Sequence, residues 1–353
     1  MGRPLARGNA INPRAVGPGV KVGAFTVLDP APGEPGGERD RLLDAVGLAE
    51  AAEAAGLSSF WVAEHHFQGG GLCPSPPVLL AACGARTRAI RLGSLVSVLP
   101  FHRPVEVAEE YAMLDRLIGG RLNFGVGSGY LASEFAGFGL DPTTKRERFD
   151  GALQTVLDAF AGRAVRAGPE PAAPVVLNVR PQQAPHPPIW IAVQRREAIP
   201  YVARRGASLA LIPYATVDRL DDLAAQVHDY RSALPPGRSG EVAAAVHLYA
   251  GDQPELARRA FGRYVESRLE SGSTFLRQKQ LERPAHASPQ AIEESGLAAF
   301  GTPEEVVRSL ERYAALGIDE LLGIFDFGGL PADEVLRSVR RVGEAWRRRS
   351  QTL

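Results

Sequence analysis

The chain has 353 residues, 45% of them hydrophobic and 23% charged, with 40 basic against 40 acidic side chains. The length suits one large α/β barrel or two ordinary domains, and the composition is that of a soluble globular protein. Zero net charge argues against nucleic acid or an anionic membrane as a partner, and no apolar run approaches the ~20 residues of a transmembrane helix.

Residues 1–20 carry Arg3, Arg7 and Arg14 among Gly, Pro and Asn, with no apolar centre. They read as a disordered extension, not a signal peptide. From Lys21 onward, strand-like and helix-like runs alternate. Val22–Leu28 is a strand, 30–37 a Gly/Pro loop, and Asp40–Ala55 a helix ended by Gly56. Strands at Ser59–Val62, Ile90–Val96 and Arg121–Val126 follow, with helices at Pro77–Arg86, Pro104–Ile118 and Arg146–Phe160. After a connection with seven prolines between Arg163 and Pro188, strands at Ile189–Val193, Ser208–Ile212 and Glu241–Ala250 alternate with helices at Arg195–Arg205, Asp218–Ala233 and Pro254–Leu269. Glu270–Ala299 reads as a polar loop, long enough to be a lid. A helix begins at Thr302, and strand Glu320–Phe325 with helix Ala332–Arg348 closes the series. Eight βα units predict a TIM (β/α)8 barrel forming one domain over residues 21–349.

A barrel's active site lies at the C-terminal ends of its strands. The second strand there runs from Phe60-Trp61-Val62-Ala63 straight into Glu64-His65-His66-Phe67. Histidine, with a free pKa near neutrality, suits proton transfer. Neighbouring histidines on an extended segment face opposite sides, and no helical His-x-x-x-His exists, so no metal is expected. The third strand exits through Leu99-Pro100-Phe101-His102. The fourth exits through Gly125-Val126-Gly127-Ser128-Gly129-Tyr130, where glycines allow close approach to a ligand but equally suit a plain loop. Gln194-Arg195-Arg196 opens a helix after the fifth strand. It fits either a phosphate seat, with Arg146 and Arg148 near, or solvated arginines. Asp326 follows the last strand. Cys73 and Cys83 show no disulfide or metal spacing, which points to a reducing cytoplasm.

Together these pieces resemble the bacterial luciferase-like flavin monooxygenases. The matching motifs are Trp61–Phe67, Pro74–Pro77, Arg91–Ser94, Leu99-Pro100 through Pro104, Val107–Glu110, Leu114-Asp115, Gly120–Gly129, Glu134-Phe135 and Phe138-Gly139. Gly301–Val306 and Gly317–Leu321 match the family's terminal unit. The resemblance implies reduced FMN from a separate flavin reductase, O2 as oxidant, a C4a-(hydro)peroxyflavin, and a homodimer formed through the early helices. His65 matches the histidine that assists oxygen chemistry, and His102 is a second catalytic candidate. Glu64, Leu95, Val96, Gly127, Ser128, Gly129, Tyr130, Arg146, Gln194, Arg195 and Arg196 are the cofactor-binding candidates. The Leu95–Val96 bond matches a non-prolyl cis peptide under the flavin ring, and 270–299 matches a mobile lid. Gly127 stands where luciferases place a cysteine, which puts light emission in doubt, and Ser128 stands where they place a phosphate-binding arginine. Tyr130 and Asp326 are candidates for the substrate side, and Arg277 and Lys279 would permit an anionic substrate. An F420-dependent hydride-transfer enzyme and a non-catalytic flavin-binding subunit are the alternatives on the same barrel.

Overall fold

The computed structural model describes residues 20–29, 37–67, 70–168, 173–270 and 274–351. Of the expected N-terminal extension only Val20 falls within them, and most of the 30–37 loop lies outside. Eight strands form a ring: β1 (Lys21–Thr26), β2 (Ser59–Val62), β3 (Arg91–Ser94), β4 (Leu122–Gly127), β5 (Ile189–Val193), β6 (Ser208–Leu211), β7 (Val242–Ala250) and β8 (Glu320–Ile324). Every neighbouring pair is parallel. The register Val22↔Leu321 between β1 and β8 closes the barrel.

Both faces of each strand are covered, so the strands read as unbroken apolar runs. All nine residues of β7 are buried. Inside the barrel, Trp61 meets Trp190 edge to face at 5.4 Å. Gly93 leaves room for the Trp61 ring, from which a Cβ there would sit 2.3 Å, and Gly125 lets its strand approach the Ser94 carbonyl oxygen, from which a Cβ would sit 1.9 Å. At the closed end, Glu320 accepts from Ser58 and Ser59 at 2.5 and 2.6 Å, and Lys21 pairs with Glu241 at 2.6 Å.

The outer layer holds α1 (Glu38–Ala54), α2 (Pro76–Arg86), α3 (Pro104–Leu117), a short α4 (Ala132–Gly137) and α5 (Lys145–Phe160). It continues with α6 (Ile199–Arg204), α7 (Pro213–Thr216), α8 (Asp222–Ala233) and α9 (Pro254–Glu270). The chain ends with α10 (Thr274–Glu282), α11 (Pro289–Glu294), α12 (Pro303–Ala315) and α13 (Ala332–Ser350). Thr302 and Glu305 close a capping box at the start of α12, with Thr302 N–H donating to Glu305 at 2.8 Å.

Three expectations are corrected. The third strand is shorter than Ile90–Val96. The chain leaves it at the cis Leu95–Val96 peptide, and Ser97–Val98 pairs alongside Val126 and Gly127 instead. The helix expected at Arg195–Arg205 is a 3-10 turn, Arg196–Ala198, followed by α6, because Pro200 is tolerated only in a first helical turn. The polar segment 270–299 is no plain loop: it holds α10 and α11 and leads into strand Ala298–Gly301, which pairs with β7 outside the ring. Its helical signal was hidden because a lysine takes an inward position. Lys279 is fully buried beside Leu276, and its ammonium donates to the carbonyls of Tyr214 (3.1 Å) and Val217. Burial pushes that lysine down to about 8 despite nearby Asp218.

Gly125→Ala should lower stability by about 3 kcal/mol, because backbone cannot yield to the new methyl. Gly151→Ala, on α5 with nothing within 4 Å of a new Cβ, should be neutral or stabilise by up to about 1 kcal/mol. Urea unfolding of the two variants beside the parent checks both signs.

Candidate active site

The C-terminal mouth of the barrel encloses a cavity of about 300 Å³, at the lower end of the range of small-molecule sites. Its inner wall is apolar, with Phe25, Val27, Ala63, Leu95, Val96 and Ile324 from the strand ends. A Cβ on Gly127 would lie 2.5 Å from the Val96 side chain, so the glycine keeps the wall flat where β4 leaves the barrel.

Two buried carboxylates organise the end of β2. Glu64 is 3% exposed. Its Oε1 lies 3.0 Å from His66 Nε2 and 2.8 Å from His102 Nε2, and its Oε2 accepts the Val98 N–H at 3.0 Å. Burial alone would raise its pKa, but these donors and the His102 charge hold it below the usual value. His102 shows the complement: burial lowers its pKa, and Glu64 outweighs that and raises it. The second acid, Glu134 on α4, stands 3.0 Å from His65 Nδ1 and accepts the His66 backbone N–H at 3.0 Å. The neighbouring imidazoles therefore diverge, as extended backbone requires. The ligand atoms of Glu64, His66 and His102 lie within 4.8 Å of one another, a trio that sequence spacing had not brought together. In this structure the carboxylate's demand for donors is met by the two rings themselves.

Cations gather at the exits of β4 and β5. Lys145, Arg146 and Arg195 all line the cavity. Burial first, and the Arg195 charge second, lower the Lys145 pKa. The Arg146 guanidinium lies 3.4 Å above the centre of the Tyr201 ring and donates to Asp150 at 3.0 Å. Asp150 also takes Arg205 at 3.0 Å and the Tyr201 hydroxyl, which fixes this corner. In another sector of the ring, Arg268 on α9 forms a buried ion pair with Asp29. Tyr130, Tyr214 and Tyr264 line the cavity with it, and the Tyr214 and Tyr264 hydroxyls are 3.2 Å apart.

Of the expected site residues, His65, Glu64, Leu95, Val96, Gly127, Ser128, Gly129, Tyr130, Arg146, Gln194 and Arg195 lie in the cavity wall. Three do not. His102 lies behind Glu64, which it braces. Arg196 turns outward to Asp229 at 2.5 Å. Asp326 is buried, takes the Thr26 hydroxyl, and is pushed up to about 7 by burial against the pull of Arg41. Lys279, considered for substrate charge, is spent on backbone carbonyls. Lys145, Tyr201, Tyr214, Tyr264 and Arg268 were missed. Lys145 directly precedes Arg146 and could have been found. Tyr264 and Arg268 share a helix face at i,i+4, but nothing local says which strand end they cover.

The family described as luciferase-like monooxygenase matches residues 20–320, and this chain belongs to it. The chain is 33% identical over 334 residues to y4wF, an uncharacterized protein of Sinorhizobium fredii, covering 89% of this chain and 93% of that one. It is 25% identical over 297 residues to the oxygenase component of a flavin-dependent trigonelline monooxygenase from Acinetobacter baylyi, covering 80% and 82%. The crystal structure of monooxygenase RslO1 from Streptomyces bottropensis superposes with a TM-score of 0.78 at 26% identity over 92% of this chain and 98% of that one. The fold, and at this identity the fold alone, is shared with two further structures. One is the FMN complex of the 3,6-diketocamphane monooxygenase oxygenating constituent from Pseudomonas putida (TM-score 0.77, 17% identity, 92% and 97% covered). The other is an F420-dependent secondary alcohol dehydrogenase (TM-score 0.68, 15% identity, 92% and 98% covered).

The Glu64 cluster predicts a pH signature. His102 has a raised folded pKa, so its contribution is complete below its ordinary 6.5 and is lost as pH rises through the raised value. Glu64 has a lowered one, so its contribution is complete above 4.5 and is lost as pH falls through the lowered value. The stability gap between the parent and His102→Gln, from urea midpoints, should be widest near about pH 6 and shrink as pH rises through the raised His102 pKa.

Proposed function

We propose that this protein is the oxygenase of a two-component system that takes reduced FMN from a separate flavin reductase and inserts one oxygen atom of O2 into a small organic molecule. The observation that carries this reading is a single cavity whose wall holds Lys145, Arg146 and Arg195 together with His65. The three cations suit a phosphate, because like charges crowded at a partly buried rim are relieved by a dianion. The flat wall at Val96 and Gly127 suits a planar ring. When bound, the reduced flavin supplies the two electrons with which O2 yields one inserted oxygen and one water. The apolar strand ends keep bulk water from the reacting atoms, and His65 gives or takes the proton.

The residues beyond this core have supporting roles. Glu64, His66 and His102 hold the end of β2 in place. The tyrosines and Arg268 face the substrate. An anionic substrate would compete with Asp29 for Arg268, so the wall favours a neutral molecule with hydrogen-bonding oxygens. The α10 segment packs on α7, which supplies Tyr214 and Ala215 to the wall, and we assign it to covering the site. Both cysteines are buried free thiols, which suits a cytoplasmic protein. Leu43, Val78, Met113 and Leu117 on α1 to α3 are 50%, 71%, 54% and 68% exposed, which supports a homodimer through these helices.

Anaerobic titration should show reduced FMN binding more tightly than reduced F420. Lys145→Ala and Arg195→Ala should each weaken FMN about tenfold, the cost of one charge-assisted contact. Tight F420 binding without FMN binding would move the protein to hydride transfer. No product or O2 uptake with any reductase would make it a non-catalytic subunit. Light scattering should give a dimer that Met113→Glu/Leu117→Glu converts to monomer. A monomeric parent would remove the dimer.

A further inference from the structure

A neutral imidazole has two tautomers, and a histidine that handles protons in a cavity works reproducibly only when one is selected. Each ring nitrogen's role follows from the hydrogen bond the other makes. His65 Nδ1 lies 3.0 Å from Glu134 Oε1. That same oxygen already accepts the His66 backbone N–H at 3.0 Å. It therefore acts as an acceptor, and the hydrogen in the His65 contact belongs to Nδ1.

The ring is held from other directions as well. The His65 N–H donates to the Cys73 carbonyl at 3.1 Å. A Cβ on Gly71 would lie 2.7 Å from His65 Cβ and Cδ2, so that backbone lies close against the ring. Tyr130 meets it edge-on at 6.3 Å between centroids. Glu134 reaches the ring from α4, the helix after β4, so the orienting acid and the histidine come from different barrel units. Glu64, the other buried acid at this strand end, is engaged by His66, His102 and Val98.

We propose that Glu134 is the positioning residue for His65: it selects the Nδ1–H tautomer and leaves proton exchange with a bound molecule to Nε2. The inference rests on the reading of His65 as the proton-handling group.

Two substitutions separate geometry from charge. In Glu134→Gln the amide oxygen can accept the same two N–H groups, so the tautomer survives while the negative charge is lost. Glu134→Ala removes the acceptor altogether. The primary readout is long-range 1H–15N NMR of the flavin-free protein labelled in histidine, with His65→Gln assigning the signal. The parent and Glu134→Gln should show Nδ1–H for neutral His65. Glu134→Ala should show a mixture with Nε2–H. Product formation with FMN and a reductase should then fall about 10- to 100-fold in kcat for Glu134→Ala, with reduced-FMN affinity changed less than twofold. Glu134→Gln should recover most of that rate.

An unchanged His65 tautomer in Glu134→Ala overturns the proposal. If Glu134→Ala does not fold, a parent whose neutral His65 carries its hydrogen on Nε2 overturns it. A changed tautomer with intact turnover supports the role of Glu134 on the ring and overturns the role of His65 in the reaction.

Discussion

Lys21–Phe25 pairs in parallel with Glu320–Ile324 across nearly the whole length of the chain. That contact turns a parallel sheet with two open edges into a ring, and it satisfies the last row of backbone N–H and C=O groups. Once the ring closes, all eight strands end at one mouth. Residues 25, 65, 96, 127, 195, 212, 264 and 324, remote in sequence, then line one cavity. The interior layer obeys the same constraint: the Trp61 ring packs on Trp190 because Gly93 gives up its side chain.

Closure also buries Glu64 and Glu134, and a buried carboxylate without donors would cost several kcal/mol. Each acid therefore draws donors from elements beyond its own. Glu64 takes His102 from the segment after β3, and Glu134 takes His65 from the end of β2. The mouth is tied together by its polar groups, and that is also what orients the His65 imidazole in the cavity wall. A second economy operates with the cations. Lys145, Arg146 and Arg195 are collected where β4 and β5 end, whereas Arg268 is neutralised by Asp29 in another sector. A ligand with an anionic end and an uncharged body matches that division.

Much of this was legible in the chain. The eight-fold βα rhythm marked the barrel, because helices outside and packed side chains inside leave the strands as apolar runs. The abrupt change from Trp61-Val62-Ala63 to Glu64-His65-His66 marked a strand end that meets solvent and chemistry. What was not legible has local causes. The α10 helix was hidden because Lys279 occupies a core position that a pattern of apolar residues cannot register. Arg196 was expected beside Arg195, but adjacent residues at a strand exit point apart, and Arg196 found Asp229 on α8. His102 was expected at the cavity and stands behind Glu64, because the 3-10 turn at Leu99–Phe101 carries it past the wall.

The sequence by itself determined the barrel, the family and the cluster at the end of β2, because periodicity and motif are properties of near neighbours along a chain. Tertiary structure alone decided which groups face one another: Glu134 with His65, Glu64 with His102, Asp29 with Arg268, and Lys145 with Arg195. Those pairings join residues tens to hundreds of positions apart. They depend on strand order, register and the direction in which each exit turns, none of which any single segment encodes.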